Sequence, residues 1–173
     1  LSQIVNEFTV PRPSQNINFS LYTSNGYLVL TPDIVYKNGE PGQSALRAVL
    51  PAMAKARFGR VLFIQTSYTI GCPPKNTAAY VMAKSAIGGL VKSLAVEYAR
   101  FGVTVNCVAP SMMETNFLKD TPDLIVQAAA EENPMGRNAT PADVVPAMAL
   151  LLSDEAGFIT GVTLPVTGGS AIV

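Results

Sequence analysis

Between positions 78 and 100, apolar Ile87, Leu90, Val91, Leu94 and Tyr98 recur every three or four residues. That period puts them on one face of a helix. Gly88 and Gly89 weaken an isolated helix but let a neighbouring element approach closely. Gly102 is placed to cap it. The stretch 44–56 gives an earlier helix through Ala45, Leu46, Val49, Leu50 and Met53, with Pro51 implying a kink or a tight local arrangement. Two continuous apolar runs, 61–65 and 103–108, predict short strands covered on both faces. Gly71, Pro73 and Pro74 mark a loop between them, and Pro110 stops the second.

Further on, Asp123–Glu132 is weakly amphipathic. Thr140-Pro141-Ala142-Asp143 supplies an N-cap, a proline at the first helical position and an acid three residues after the cap. A helix over Pro141–Leu152 follows, with Pro146 unaccounted for by helix chemistry. The run 162–166 is a last strand, followed by Gly168-Gly169. The beginning of the chain differs. Ile17, Phe19 and Leu21 alternate over 16–23, Ser24-Asn25-Gly26 is a turn signal, and 27–30 is again strand-like. These predict a hairpin. Helices alternating with strands over short links predict an α/β fold with a parallel sheet.

The 173 residues suffice for one domain, and no repeat or compositional break divides 1–173. Apolar residues make up 49% and charged ones 14%, which excludes a disordered chain and suggests surface buried in an oligomer. Net charge is zero with no basic block, so nucleic acid is not an expected partner. No run of 18 apolar residues exists, so no membrane span is expected. LSQIVNEF has neither a basic start nor a long apolar stretch and does not read as a secretory leader. A cytoplasmic location is the default expectation. Histidine is absent, which removes Ser-His-Asp and Cys-His catalysis. Cys72 and Cys107 make neither a zinc site nor a disulfide framework, and Cys107 reads as a small buried hydrophobe.

The chemistry that remains lies in TSYTIGCPPKNTAAYVMAK, residues 66–84. Tyr80 and Lys84 are one helical turn apart on a shared face. A phenol, with a reference pKa near ~10, is a poor acid or base at neutral pH. A neighbouring ammonium stabilises the phenolate and makes it usable. A hydroxyl at Thr66 or Ser67 could hold a carbonyl or alcohol oxygen beside it. This set suits carbonyl/alcohol redox chemistry with an external hydride carrier.

From about Ala48 onward the chain resembles the short-chain dehydrogenase/reductase family. The matching pieces are AVLPAMAKARFGRVLFI, the hydroxyl at 66–67, YVMAK, GVTVNCVAPSMMET and FITGVTLPVTGG. The resemblance implies that Tyr80 is the general acid or base, and that Lys84 lowers its pKa and holds the nicotinamide ribose. It also implies that a hydroxyl orients the substrate. Counting forward from Gly59-Arg60 selects Thr66; counting back from Tyr80 selects Ser67. Counting back from Ala48 puts Asn38 where the family has a catalytic Asn, within the turn-like NGEPG. On the cofactor side, Pro110 is followed by Ser111 where the family usually has glycine, and Thr115 matches a residue that bonds the nicotinamide carboxamide.

The N-terminal part departs from the family, which begins with a strand, a glycine-rich turn and a helix N-terminus that receives the pyrophosphate. No G-x-x-x-G-x-G occurs here, and three βα units of roughly 90 residues are largely missing. YLVLTPDIVYKNG resembles the family's fourth strand. The expected fold is therefore a truncated Rossmann-like, doubly wound parallel sheet lacking its first βα units, with an N-terminal hairpin covering the strand edge. A sequence missing residues near 1–45 would look the same.

Three functional readings follow. The first is a degenerate subunit that pairs with itself or with a full-length relative. The second is an active enzyme that binds NAD or NADP at a remodelled or partner-supplied site and acts on a ketone, secondary alcohol or hydroxyacyl thioester. The third keeps Tyr80 and Lys84 for elimination chemistry without a dinucleotide.

Overall fold

The computed structural model describes residues 18–23, 27–32 and 41–172. Five strands form one sheet in the order β1 (Asn18–Thr23), β2 (Tyr27–Pro32), β3 (Gly59–Ile64), β4 (Val103–Pro110) and β5 (Thr163–Val166). β1 and β2 pair antiparallel, as the expected hairpin requires, and the turn residues 24–26 lie outside the described residues. β2 through β5 are parallel, with Val29 beside Leu62 and Leu62 beside Asn106. This is the expected α/β sheet, with the hairpin strand at one end.

The helices are α1 (Pro41–Ala56), α2 (Ala78–Tyr98), α3 (Asp123–Glu132) and α4 (Pro141–Leu152). α1 begins earlier than the apolar pattern indicates and runs through Pro51. α2 ends at Tyr98, short of the expected Arg100, because a 3-10 turn over Ala99–Phe101 tightens its exit. Gly102 closes that turn at a φ of 74°, a conformation open to glycine at little cost.

Alternation along the strands sorts the core into two layers. Val61 and Phe63 of β3, with Val103, Val105 and Cys107 of β4, face Leu46, Leu50 and Met53 of α1 and Ile87, Val91 and Ala95 of α2. Leu62 and Val108 face Val144, Leu151 and Leu152 of α4. Helices therefore cover both faces, which is why the strands read as unbroken apolar runs. By length and hydropathy alone, Ala78–Phe101 could cross a membrane. Its Ile87-Val91-Ala95 stripe is instead buried against the sheet.

Two buried polar residues lock the frame. Arg60 reaches the carbonyls of Ser153 (3.1 Å), Gly59 (3.0 Å) and Gly102 (3.4 Å), and its guanidinium lies 4.7 Å from the Phe58 ring centroid. Asn106, fully buried in β4, donates to Ile159 O (2.8 Å) and accepts from Val162 N (3.2 Å). That fixes the FITG turn, and with it the start of β5, against β4.

Candidate active site

Parallel strands deliver their C-terminal ends to one side of the sheet, where ligands of such folds gather. β3 ends in Ile64, followed by Gln65, Thr66 and Ser67. Thr66 and Ser67 are buried and enter a 3-10 turn, Ser67–Thr69. Thr66 Oγ1 caps this turn by accepting from Tyr68 N at 3.4 Å, and Thr66 O accepts from Thr69 Oγ1 at 2.8 Å. The cap uses the hydroxyl as acceptor, so its O–H can still donate. Ser67 O accepts from Ile70 N and Gly71 N, both at 2.9 Å.

Tyr80 lies in the first turn of α2 and is 39% exposed. Its ring meets Tyr68 edge-on, with centroids 6.3 Å apart at 76°. Burial raises the Tyr68 phenol above its ordinary pKa. Sequence reasoning missed Tyr68 because one aromatic in a turn carries no periodic signal. One turn on, the Lys84 ammonium lies 5.9 Å from the Tyr80 ring centroid and donates to Ile64 O at 3.3 Å. Tyr80, Lys84 and the 66–67 segment are thus brought together where β3 meets α2. Asn38 lies outside the described residues.

Beside this end of β3, β4 finishes at Pro110. The loop after it is stitched to Ala139, with Ala139 N donating to Met112 O (3.0 Å) and Glu114 N to Ala139 O (2.8 Å). Thr115 follows, half-buried, and its carbonyl accepts from Leu118 N at 3.0 Å. Ser111 Oγ is buried and has no hydrogen-bond partner. It lines a groove of about 610 Å³ beyond β4 and β5, together with Asn133, Arg137, Thr167 and Gly168. Tyr80 and Lys84 are not part of that groove, which lies farther along the sheet.

These residues fit the nicotinamide end of a dinucleotide. Pro110 ends β4 beside the C-terminal end of β3, Lys84 reaches Ile64 O from α2, Thr115 lies in the loop after β4, and the Ser111 hydroxyl is an unspent polar group in that loop. For the pyrophosphate end, the sequence offers no G-x-x-x-G-x-G turn. Among the described residues, no cluster of His, Cys, Asp and Glu could hold a metal ion. Cys107 is buried and its thiol is pushed up to about 12, mainly by desolvation, with the Lys84 charge and a Gln65 hydrogen bond opposing. It is therefore no nucleophile at neutral pH.

The parallel α/β sheet agrees with known proteins. A family profile described as enoyl-(acyl carrier protein) reductase matches residues 43–171. A 3-oxoacyl-[acyl-carrier-protein] reductase, FabG of Vibrio harveyi, is 38% identical over 142 residues, covering 82% of this chain and 57% of its own length. Oxidoreductase UcpA of Salmonella typhimurium is 34% identical over 134 residues, covering 73% and 51%. The structure of a 3-oxoacyl-[acyl-carrier protein] reductase from Brucella melitensis, with bound NAD, superposes with a TM-score of 0.66 at 31% identity, over 74% of this chain and 47% of that one. The chain belongs to the short-chain dehydrogenase/reductase family. It spans about half the length of these curated relatives.

Proposed function

We propose that this chain carries the proton-transfer and substrate-holding part of a nicotinamide-dependent oxidoreductase acting on a ketone or secondary alcohol, a hydroxyacyl thioester being one such substrate. The observation that carries this reading is the placement of Lys84. Its ammonium is anchored at Ile64 O, one turn from Tyr80 and next to the buried hydroxyls at 66–67.

In the reducing direction, Tyr80 O–H gives its proton to the substrate oxygen while the carbonyl carbon accepts a hydride. The Lys84 ammonium favours the phenolate left on Tyr80. Thr66 or Ser67 donates to the same substrate oxygen and orients it. A dihydronicotinamide, when bound, supplies the hydride, and in this reading Lys84, Pro110 and Thr115 would hold its nicotinamide ribose and carboxamide.

A second reading, a non-catalytic subunit pairing with itself or with a full-length relative, draws support from α2. Met82, Leu90 and Val96 are exposed along this helix, an apolar face suited to a partner.

Titration with NADH and NADPH, followed by fluorescence, tests both. The oxidoreductase reading expects saturable binding. It also expects Tyr80→Phe to lose on the order of 10²-fold in turnover while binding survives. A folded oligomer that binds neither dinucleotide, alone or with a full-length relative, would sink that reading and leave the second.

A further inference from the structure

Gln65 follows the last residue of β3 and is buried, an amide within an otherwise apolar run. Its Nε2 donates to the carbonyl of Lys84 at 3.0 Å. A backbone carbonyl has two lone pairs, so Lys84 O can serve this amide as well as its own helix. The preceding residue, Ile64, accepts from the Lys84 ammonium. Adjacent residues of one strand end therefore hold both ends of Lys84, backbone and side chain.

The amide is itself oriented. Gln65 Oε1 faces the Cys107 thiol at 3.9 Å, which turns Nε2 towards α2. The backbone N–H of Gln65 donates to Val108 O at 2.8 Å, fixing the residue to β4. Gly88 leaves the room, since a Cβ there would stand 3.3 Å from Nε2. This gives Gly88 a role inside the molecule, in addition to any at an interface.

We infer that Gln65 is a positioning residue, a clamp that sets the height of α2 over β3 and so how far the Lys84 side chain extends to Ile64 O, which in turn sets where its ammonium lies relative to Tyr80. A core amide that only satisfies its neighbours would affect stability alone. A clamp also affects the chemistry of Tyr80, because the Lys84–Tyr80 separation sets how strongly the ammonium favours the phenolate. Among the described residues, Tyr68, Lys84 and Cys107 are titratable groups placed against Tyr80 and Gln65.

The test follows Tyr80 by NMR of ring-labelled tyrosine through a pH titration without ligand. Gln65→Met keeps length and volume but removes the amide. It is expected to move the Tyr80 titration to higher pH. It should also lower kcat on the order of tenfold at unchanged KM, and this second expectation rests on the oxidoreductase reading. Cys107→Ala removes only the thiol contact. It frees the amide to turn and should move the Tyr80 titration in the same direction as Gln65→Met, by a smaller amount. A Gln65→Met protein that is less stable but titrates normally at Tyr80 overturns the clamp. If Gln65→Met does not fold, Gly88→Ala presses on the same amide by a few tenths of an ångström and is expected to move Tyr80 in the same direction, and an unmoved Tyr80 there overturns the clamp too. The ligand-free titration stands even if turnover is never found, so the clamp and the proposed activity can fail separately.

Discussion

Arg137 holds Asp143 through two contacts, Nη1 to Oδ2 at 2.8 Å and Nη2 to Oδ1 at 2.7 Å. The same carboxylate accepts from the backbone N–H and the hydroxyl of Thr140, both at 2.7 Å, which closes the N-terminus of α4. The Arg137 hydrogen bond, then those from Thr140, hold the Asp143 pKa well below the ordinary carboxylate range. Because the folded pKa lies below the unfolded value near ~3.9, the contribution to stability is full above that pH and is lost as pH falls towards the folded value. Asp143→Asn should therefore melt lower than the unaltered protein at neutral pH, and the gap should close in strong acid. Thermal melts across pH check this, and a gap of constant size would contradict it.

Arg60 carries a full charge into the core and offsets it with three carbonyls. Arg60→Met leaves those carbonyls without their charged donor and should cost about 3 kcal/mol. Arg60→Lys keeps the charge but loses the planar fork, and should fall between. Urea denaturation of the three proteins gives the order directly.

Two buried hydroxyls, Thr104 Oγ1 and Ser111 Oγ, lack hydrogen-bond partners. Removing such an atom removes a desolvation penalty. Thr104→Val should be neutral or stabilising by about 1 kcal/mol. Ser111→Ala should behave likewise in the ligand-free protein and should weaken dinucleotide binding if that hydroxyl is spent on the nicotinamide end. Melts with and without NADH separate the two effects.

A glycine inside α2 and one just past its end should respond oppositely. A Cβ at Gly102 would run into the Arg57 carbonyl, at a φ of 74°, so Gly102→Ala should cost about 2 kcal/mol or more. A Cβ at Gly89 would meet nothing within 4 Å. Gly89→Ala should stabilise the isolated chain by roughly 0.5–1 kcal/mol through helix propensity. If α2 packs on a partner, the same change should weaken association, which sedimentation would register.

Legibility followed periodicity. α2 was readable from Ile87, Leu90 and Val91, the hairpin from Ser24-Asn25-Gly26, and the start of α4 from Thr140 and Asp143. Tyr80 and Lys84 could be paired because a helix converts their spacing into proximity. Contacts between distant segments left no such trace. Nothing in GRVLFI says that its arginine is buried, since two of its three accepting carbonyls come from the distant Gly102 and Ser153. Gln65 reads as the end of an apolar strand until α2 is laid across it. The acid of the cap was visible, but its Arg137 partner was not, because an arginine in a loop normally faces water. Pro51 and Pro146 both sit inside continuous helices, and local rules for proline did not foresee this.

Strand order in the described sheet equals chain order. Each described strand pairs only with its neighbours in sequence, yet every parallel pairing spans a helical crossover, and the one between β4 and β5 spans two helices. Closing such long loops costs more entropy than pairing β1 with β2, so the parallel ladders are the slow steps of assembly, as non-local pairings are in general.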